Sequence, residues 1–175
     1  TTEAEGLGRY TATFKGADFT TQTKDVPIEK LTGFKIIVED RTKGGATTSL
    51  VEDELYSGEV TFTVEADSAV LVAVKNGEDD YTRLNCTTEA EVHKFTVSVD
   101  NADVTIALAF KGDANLDGKL MALDGTMIKR MSLNTYTPEN SFALIACDLN
   151  GNGKIESLEG TMVSRAVLNT YTIAW

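Results

Sequence analysis

The sequence of 175 residues predicts two modules, an all-β immunoglobulin-like sandwich over residues 1–110 and an all-α region over residues 111–175. Three observations support this prediction. Short runs of alternating apolar and polar residues, separated by turn residues, fill the first part of the chain. The second part holds one motif twice, at 113–137 and again at 148–172, and each copy ends in a helical pattern. The junction between the last predicted strand and the first copy is very short, so we expect the modules to pack as one rigid unit.

Six runs in the first module have the alternation or the apolar continuity of β-strands. The run at 59–66, for example, places Val60, Phe62 and Val64 on one face. The run at 69–75 (AVLVAVK) is apolar at nearly every position, which predicts a central strand buried on both faces. The sequence predicts a linker at 1–7 and a short helical turn at 28–31. The predicted strands cover residues 8–15, 34–39, 59–66, 69–75, 91–99 and 104–110.

The predicted sandwich carries a histidine and several tyrosines that bear on function. His93 lies in phase with the apolar face of its strand, which predicts a residue at the edge of the core, not a catalytic or metal-binding group. Tyr10, Tyr56 and Tyr81 either cap the core or form a platform on which sugars stack. No Ser/His/Asp arrangement, phosphate loop or Cys/His cluster stands out, so the sequence predicts no catalytic residue.

The chain is acidic, with 27 acidic and 16 basic residues and a formal net charge of −11. This balance argues against nucleic acid or an anionic membrane as the partner, because both attract basic surfaces. No apolar run reaches the roughly 18 residues of a membrane-spanning helix, so we expect no membrane insertion. The chain begins at Thr1 without methionine or a signal peptide, and we expect it to be a piece of a longer polypeptide.

The sequence leaves the environments of three residues open. Cys86 and Cys147 fall in different predicted modules, and either form a disulfide or remain as two buried free thiols. Of these alternatives we expect the free thiols. Trp175 either closes against residues near 110 or is exposed.

Each copy of the duplicated motif opens with the spacing of a calcium loop, loop 1 at residues 113–124 and loop 2 at 148–159. Such a loop places oxygen ligands at positions 1, 3, 5 and 12, a backbone carbonyl at position 7, and a glycine at position 6. Two matches in register predict two bound Ca²⁺ ions; the alternative is a pair of surface turns without metal. The predicted ligands are Asp113, Asn115, Asp117, Lys119 and Asp124 in loop 1, and Asp148, Asn150, Asn152, Lys154 and Glu159 in loop 2, the two lysines through their carbonyls.

The elements on either side of the loops argue against a calcium sensor. Residues 104–110 (VTIALAF) are β-branched and apolar and predict a strand that runs almost into loop 1. A helical pattern follows each loop, at 125–134 and 160–169. A sensor-type hand has a helix on both sides of its loop, so the arrangement does not predict a calmodulin-like switch.

This tandem of calcium loops and helices resembles a dockerin, the calcium-dependent module through which cellulosomal proteins bind cohesins. The resemblance covers about residues 110–175 and implies a cohesin of a scaffoldin or cell-surface anchor as the partner. By position and architecture, the β-rich module before it looks like the X module of ruminococcal or clostridial X module–dockerin pairs. Ala122-Leu123 and Ser157-Leu158 stand where the best-known dockerin pattern has polar Ser-Thr pairs, which leaves the type of cohesin open.

The resemblance also implies a partner-binding face, because dockerins contact the cohesin with loop ends and helix positions. Leu123, Met127 and Arg130 recur at helical spacing, and the second copy repeats them. A cohesin therefore either accepts both copies, which we expect, or binds in a single orientation. Arg and Met are enriched at interface cores, although a methionine here suits the protein core equally well. The implied face comprises Ala122, Leu123, Thr126, Met127, Lys129, Arg130 and Asn134, with Ser157, Leu158, Thr161, Met162, Ser164, Arg165 and Asn169.

These observations predict a non-catalytic cellulosome assembly module. The calcium-loaded dockerin would bind the cohesin, and the X module would stabilise the dockerin. The resemblance implies a secreted protein of polysaccharide degradation, associated with the cell surface through the cohesin. The alternative is a carbohydrate-binding β-sandwich that carries a calcium-binding appendage.

Overall fold

The computed structural model describes residues 6–15, 20–28, 33–138 and 140–175. The chain forms two compact units, Thr1–Gly33 and Phe34–Trp175. We call residues 34–110 the sandwich and residues 111–175 the loop–helix region. The predicted boundary between these two parts lies inside the second unit, so the division into units leaves that boundary a prediction.

The first unit contains an antiparallel hairpin of strands β1 (Gly6–Ala12) and β2 (Gln22–Ile28). Arg9 lies opposite Asp25, and its guanidinium donates hydrogen bonds of 2.6 and 2.8 Å to that carboxylate. The pair is exposed to solvent, so it specifies the register of the hairpin more than it stabilises it. The predicted N-terminal linker and the predicted helical turn fall mostly outside the described residues.

Within residues 34–110, all of which are described, nine strands form two sheets. They are β3 (Phe34–Asp40), β4 (Ala46–Thr48), β5 (Leu55–Tyr56), β6 (Gly58–Ala66), β7 (Val70–Asn76), β8 (Thr82–Arg83), β9 (Thr87–Glu89), β10 (Val92–Val99) and β11 (Val104–Phe110). One sheet has the order β4-β6-β10-β9 and the other β5-β3-β11-β7-β8. Strands β3 and β11 run parallel, and the other neighbouring strands run antiparallel.

Side chains that alternate along the strands fill the space between the two sheets. On β6, Phe62 and Val64 are buried there, and Phe62 stacks on Phe95 of β10 with ring centroids 5.9 Å apart. Strand β11 contributes Ile106 and Leu108 from the opposite sheet. The alternation that predicted these strands is therefore the pattern that builds the core.

The five-stranded sheet also has apolar residues on its outer face, and the short helix α2 (Ser141–Cys147) covers them. Phe142 and Ala146 of this helix pack on the outward-facing side chain of Leu71, and the ring of Tyr81 lies 5.0 Å from that of Phe142. Strand β7 is thus buried on both faces, as its continuous apolar run predicted.

Two longer helices complete the loop–helix region. Helix α1 (Ala122–Ser132) follows loop 1, and α3 (Ser157–Val167) follows loop 2. The two helices pack against each other around a small core that contains Ile128, Met131 and Val163.

The predicted fold class, an immunoglobulin-like all-β module over residues 1–110 followed by an all-α dockerin, is wrong. Of the described residues, 39% lie in strands and 18% in helices, so the chain is mostly β. The loop–helix region is not all-α, because its helices span 11, 7 and 11 residues and irregular loops cover the rest. Loops that wrap around buried carboxylates need backbone turns that a helix cannot make. Residues Thr1–Gly33 form a unit of their own.

Candidate calcium loops and partner-binding face

Loop 1 folds around the buried carboxylate of Asp113. This residue is 0% exposed, and its oxygens accept hydrogen bonds from the backbone N–H groups of Asp117 (3.2 Å) and Gly118 (2.8 Å). Asp124, at the far end of the loop, is also buried and accepts a bond from the N–H of Met121 at 2.7 Å. The first and last predicted ligands of loop 1 are therefore both enclosed.

Loop 2 repeats this arrangement. The carboxylate of Asp148 accepts a hydrogen bond from the N–H of Gly153 at 2.7 Å. Glu159 is 0% exposed and accepts bonds from the N–H groups of Leu149 (2.8 Å) and Glu156 (2.9 Å). Asp148 is half-buried, unlike its fully enclosed counterpart in loop 1.

Left-handed backbone turns at two equivalent positions allow both loops to close. At position 6, Gly118 and Gly153 have φ of +79° and +77°; at position 4, Leu116 and Gly151 have φ of +55° and +72°. This conformation costs an L-residue with a side chain about 1–2 kcal/mol, and glycine avoids the cost. The matching values indicate that both loops follow the same backbone path.

The buried carboxylates need a compensating positive charge. Burial, followed by repulsion from Asp124, raises the pKa of Asp113 to about 6, against the opposing hydrogen bond from Gly118. Burial also raises the pKa of Asp124 and of Glu159. No ion pair in the described part of the chain joins a lysine or arginine to these three carboxylates. A divalent cation would supply the charge that such a set of oxygens favours.

Apart from the carboxylate of Asp117, the other predicted ligands are neutral oxygens within the same loops. The side-chain oxygens of Asn115 and Asn150 accept hydrogen bonds from the N–H groups two residues further on, at 3.1 and 3.0 Å. No three His, Cys, Asp or Glu side chains of the described residues lie close enough together to hold a metal by themselves. The oxygens of Asn side chains and backbone carbonyls would therefore have to complete each site. This mixed set fits Ca²⁺, which accepts neutral and charged oxygens together.

Two glycines that the sequence analysis did not identify determine how α1 and α3 cross. A Cβ atom on Gly160 would lie 2.5 Å from the carbonyl oxygen of Gly125, and one on Gly125 would lie 2.6 Å from that of Gly160. The helices thus approach through bare backbone. The sequence did contain an indication of this crossing. Glycine inside a helix costs about 0.5–1 kcal/mol relative to alanine, and its presence at the same position of both helices therefore indicates a packing role.

Lys129 and Ser164, two members of the predicted partner face, lie at this crossing. The Ser164 hydroxyl donates to the carbonyl oxygen of Gly160 at 2.7 Å, and the Lys129 side chain passes beside the same glycine. Both residues are half-buried. Their geometry gives them a role in helix packing, and their role in partner binding stays a prediction.

The remaining predicted face residues lie on the outward side of α1 and α3. Leu123 and Leu158 are 56% and 58% exposed, whereas Met127 and Met162 are half-buried. The exposed members are Ala122, Leu123, Thr126, Arg130 and Asn134 in the first copy, and Ser157, Leu158, Thr161, Arg165 and Asn169 in the second.

Sequence reasoning missed a further exposed pair, Leu133 and Leu168. Each stands at the C-terminal cap of its helix and is 71% exposed. Two large apolar side chains left in solvent at equivalent positions add to the outward face. The sequence did indicate this pair, because leucine occurs at the same position of both copies.

The two arginines of the face are held in the same way in both copies. Arg130 donates from Nη2 to the carbonyl oxygen of Thr135, and Arg165 to that of Thr170, both at 3.1 Å. Each guanidinium also lies 5.8 Å from the centre of a tyrosine ring, in the first copy that of Tyr136. The arginines are therefore fixed in position while they remain exposed.

The structure answers the questions left open at the two cysteines and at Trp175. Cys86 and Cys147 are free thiols, so the disulfide alternative is wrong. The Trp175 ring stacks on His93 at 3.7 Å, and Lys111 Nζ donates to the carbonyl oxygen of Ala174 at 2.7 Å. The chain therefore closes against residues near 110, and His93 lies at the edge of the core as predicted.

The tyrosines of the sandwich have structural contacts. The Tyr56 hydroxyl accepts a hydrogen bond from the N–H of Val51 at 2.9 Å, and its ring packs at the edge of the core. The Tyr81 hydroxyl donates to Glu39 at 2.9 Å, and its ring packs on α2. Both tyrosines thus support packing, which is the simpler of the two expectations for them. Tyr10 of the hairpin is 69% exposed, so the expectation that it caps a core is wrong.

Residues 111–168 match the family described as the dockerin type I domain. No curated protein and no solved structure matches the chain significantly. The family match supports a cellulosomal dockerin, a non-catalytic module that in general binds calcium and a cohesin. In the described part of the chain, no helix is long and apolar enough to cross a membrane.

Proposed function

We propose that the loop–helix region is a dockerin that holds two Ca²⁺ ions and binds a cohesin of a scaffoldin or cell-surface anchor. The sandwich acts as an X module that stabilises it. The observation that carries this proposal is the dockerin type I match over residues 111–168, which coincides with the two loops and with the helices that follow them.

Each loop would hold one ion through its predicted ligands. In loop 1 the carboxylates of Asp113, Asp117 and Asp124 would act with neutral oxygens, and loop 2 would use Asp148 and Glu159 in the same way. The ion supplies the positive charge that offsets repulsion between enclosed carboxylates. The loops themselves fix where α1 and α3 begin, since the last ligand of each loop, Asp124 or Glu159, lies in the first turn of its helix.

The outward side of α1 and α3 is the surface we assign to the cohesin. It presents Leu123, Leu133 and Arg130, together with their counterparts in the second copy. Exposed apolar side chains with a fixed arginine among them have the composition of an interface core. The opposite side is unavailable, because α2 and both loops pack on the sandwich.

The sandwich supports the dockerin through several separate contacts. Helix α2 packs on the outer face of the five-stranded sheet, and Trp175 stacks on His93. Buried Lys111 connects the junction to the carbonyl of Ala174. A support of this kind holds the cohesin-binding face in one orientation, and it needs no ligand of its own.

We place the protein outside the cell, as part of a cellulosome. Its parent polypeptide would be a scaffoldin, an adaptor or a secreted enzyme that degrades plant polysaccharide. The acidic balance of 27 acidic against 16 basic residues agrees with a partner that is neither nucleic acid nor an anionic membrane.

A binding screen against a panel of cohesins, with calcium and with a chelator, tests the proposal. Capture by at least one cohesin that requires calcium is the expected result. The carbohydrate-binding alternative predicts retention on insoluble cellulose or xylan without any cohesin. Retention on polysaccharide together with no cohesin capture would overturn the proposed function.

A further inference from the structure

The sandwich holds the two loops in different ways. In loop 1, Leu116 packs with the cluster under α2, and a Cβ on Gly118 would lie 3.0 Å from the carbonyl oxygen of Thr42 in the turn after β3. In loop 2, the residue equivalent to Leu116 is Gly151. The guanidinium of Arg83 lies over this glycine, 3.1 Å from where a Cβ would be. Because glycine has no side chain, the guanidinium of Arg83 can occupy the space beside the loop.

Arg83 makes a specific hydrogen bond to loop 2. Its Nη1 donates to the carbonyl oxygen of Asp148 at 3.0 Å. Asp148 is the C-terminal cap of α2 and also the first predicted ligand of loop 2. The last carbonyls of a helix lack a donor within the helix, so the arginine satisfies one of them. It thereby fixes the backbone of the residue whose carboxylate opens the calcium loop.

We infer that Arg83 is a positioning residue that couples calcium binding in loop 2 to the docking of the sandwich. The inference rests on the calcium binding proposed above and names one contact through which the sandwich acts on it. Coupling between two sites is reciprocal, so a docked sandwich that strengthens calcium binding is itself stabilised by calcium. The contacts of loop 1 with the sandwich described above, at Leu116 and Gly118, do not involve Arg83.

The positive charge of Arg83 has the opposite effect, because it repels a cation bound in the loop. Salt and water screen that repulsion at a half-buried site, whereas the hydrogen bond acts at the ligand residue itself. The two effects can be separated by substitution. Arg83→Ala removes the bond and the charge, and Arg83→Gln removes the charge but retains a side-chain N–H donor.

Calcium titration of the ¹⁵N-labelled full chain tests the inference. The amides of Gly118 and Gly153 report each loop separately, because each N–H donates to the carboxylate of the first ligand in its own loop. Arg83→Ala should weaken calcium binding in loop 2 about five- to tenfold and leave loop 1 within about twofold, the size expected for one hydrogen bond. Arg83→Gln should lie between Arg83→Ala and the unchanged chain. Lys35→Ala, at a lysine paired with Asp53 on the same sandwich, should alter neither loop.

Equal or tighter binding by loop 2 in both Arg83 variants would overturn the inference, because charge repulsion would then be the main effect of the arginine. Equal weakening of both loops would also overturn it, since that result indicates a general loss of folding. If neither glycine of the unchanged chain responds to calcium, the proposed calcium binding fails together with the inference. The assay contains no cohesin, so its result is independent of whether the proposed partner is correct.

Discussion

The two copies of the loop–helix motif agree on the side that faces solvent and differ on the side that faces the sandwich. Outward, Leu133 and Leu168 are equally exposed, and both arginines make the same contacts with equal distances. Inward, Leu116 of loop 1 packs on the sheet, whereas Gly151 of loop 2 leaves room for Arg83. Docking on one sandwich must break the symmetry of the pair, because two equivalent loops meet different parts of it. The face that docking does not touch has kept its symmetry.

Calcium removal should have the largest effect, and it should affect both copies. Twelve buried residues form the main core of the sandwich, whereas the core of the loop–helix region has five and encloses carboxylates. We expect chelation to unfold α1 and α3 and to leave the sheets folded, since a ligand at a thousandfold excess over its Kd stabilises by about 4 kcal/mol. Amide hydrogen exchange measures both parts at once. Unchanged protection of α1 and α3 after chelation would contradict the proposed role of the metal.

The symmetry of the outward face predicts that either copy suffices for cohesin binding. Leu123→Asp with Leu133→Asp disables the first copy, and Leu158→Asp with Leu168→Asp disables the second. All four side chains are exposed, so the variants should fold, and each pair alone should retain affinity within a few fold. The combination should abolish binding in a calorimetric titration with cohesin.

Loss of binding with a single pair, in a variant that still folds with calcium, would show that only one copy is used. The agreement of the two outward faces would then reflect duplication alone. The other pair serves as the matched control for each variant, because it places the same charge at the equivalent position.

The helix crossing should be sensitive at both glycines. Gly160→Ala places a methyl group 2.5 Å from the carbonyl oxygen of Gly125 and 2.7 Å from Cγ of Lys129. Overpacking of this kind typically costs about 1–3 kcal/mol, which exceeds the 0.5–1 kcal/mol that alanine gains in a helix. Thermal unfolding in calcium should show the loss, with Thr161→Ala on the exposed side of α3 as the control. A Gly160→Ala variant as stable as the unchanged chain would mean that the helices do not cross here.

A smaller effect should appear in loop 1 on acidification. The pKa of Asp113 in loop 1 is raised to about 6, so below that pH a proton competes with calcium. Without calcium, the charged form of Asp113 costs stability above pH 6, and this cost is relieved as the pH falls from 6 towards 3.8. Calcium binding by loop 1 should therefore weaken by up to about tenfold per pH unit below 6 and be nearly constant above 7. The Gly118 amide signal measures it, and an unchanged affinity at pH 5 would contradict the prediction.

The two loops were the easiest part of the molecule to recognise, because their predicted ligands follow one another at fixed spacing within 12 positions. The strands of the sandwich were predictable one by one, since alternation such as that of Val60, Phe62 and Val64 shows which face of a single strand is buried. Alternation does not say which strands share a core, and for this reason residues 1–33 were assigned to the sandwich. Contacts between distant segments, such as Arg83 with Asp148 or Gly125 with Gly160, leave little trace in the sequence.

The central claim is that a cohesin binds the outward face of α1 and α3 while the sandwich stays free of it. Hydrogen exchange of the calcium-loaded chain, with and without a cohesin from the panel, tests this claim most directly. We predict new protection at residues 121–134 and 156–169 and no change in the sheets of the sandwich. Protection confined to the sandwich, with α1 and α3 unchanged, would contradict the claim.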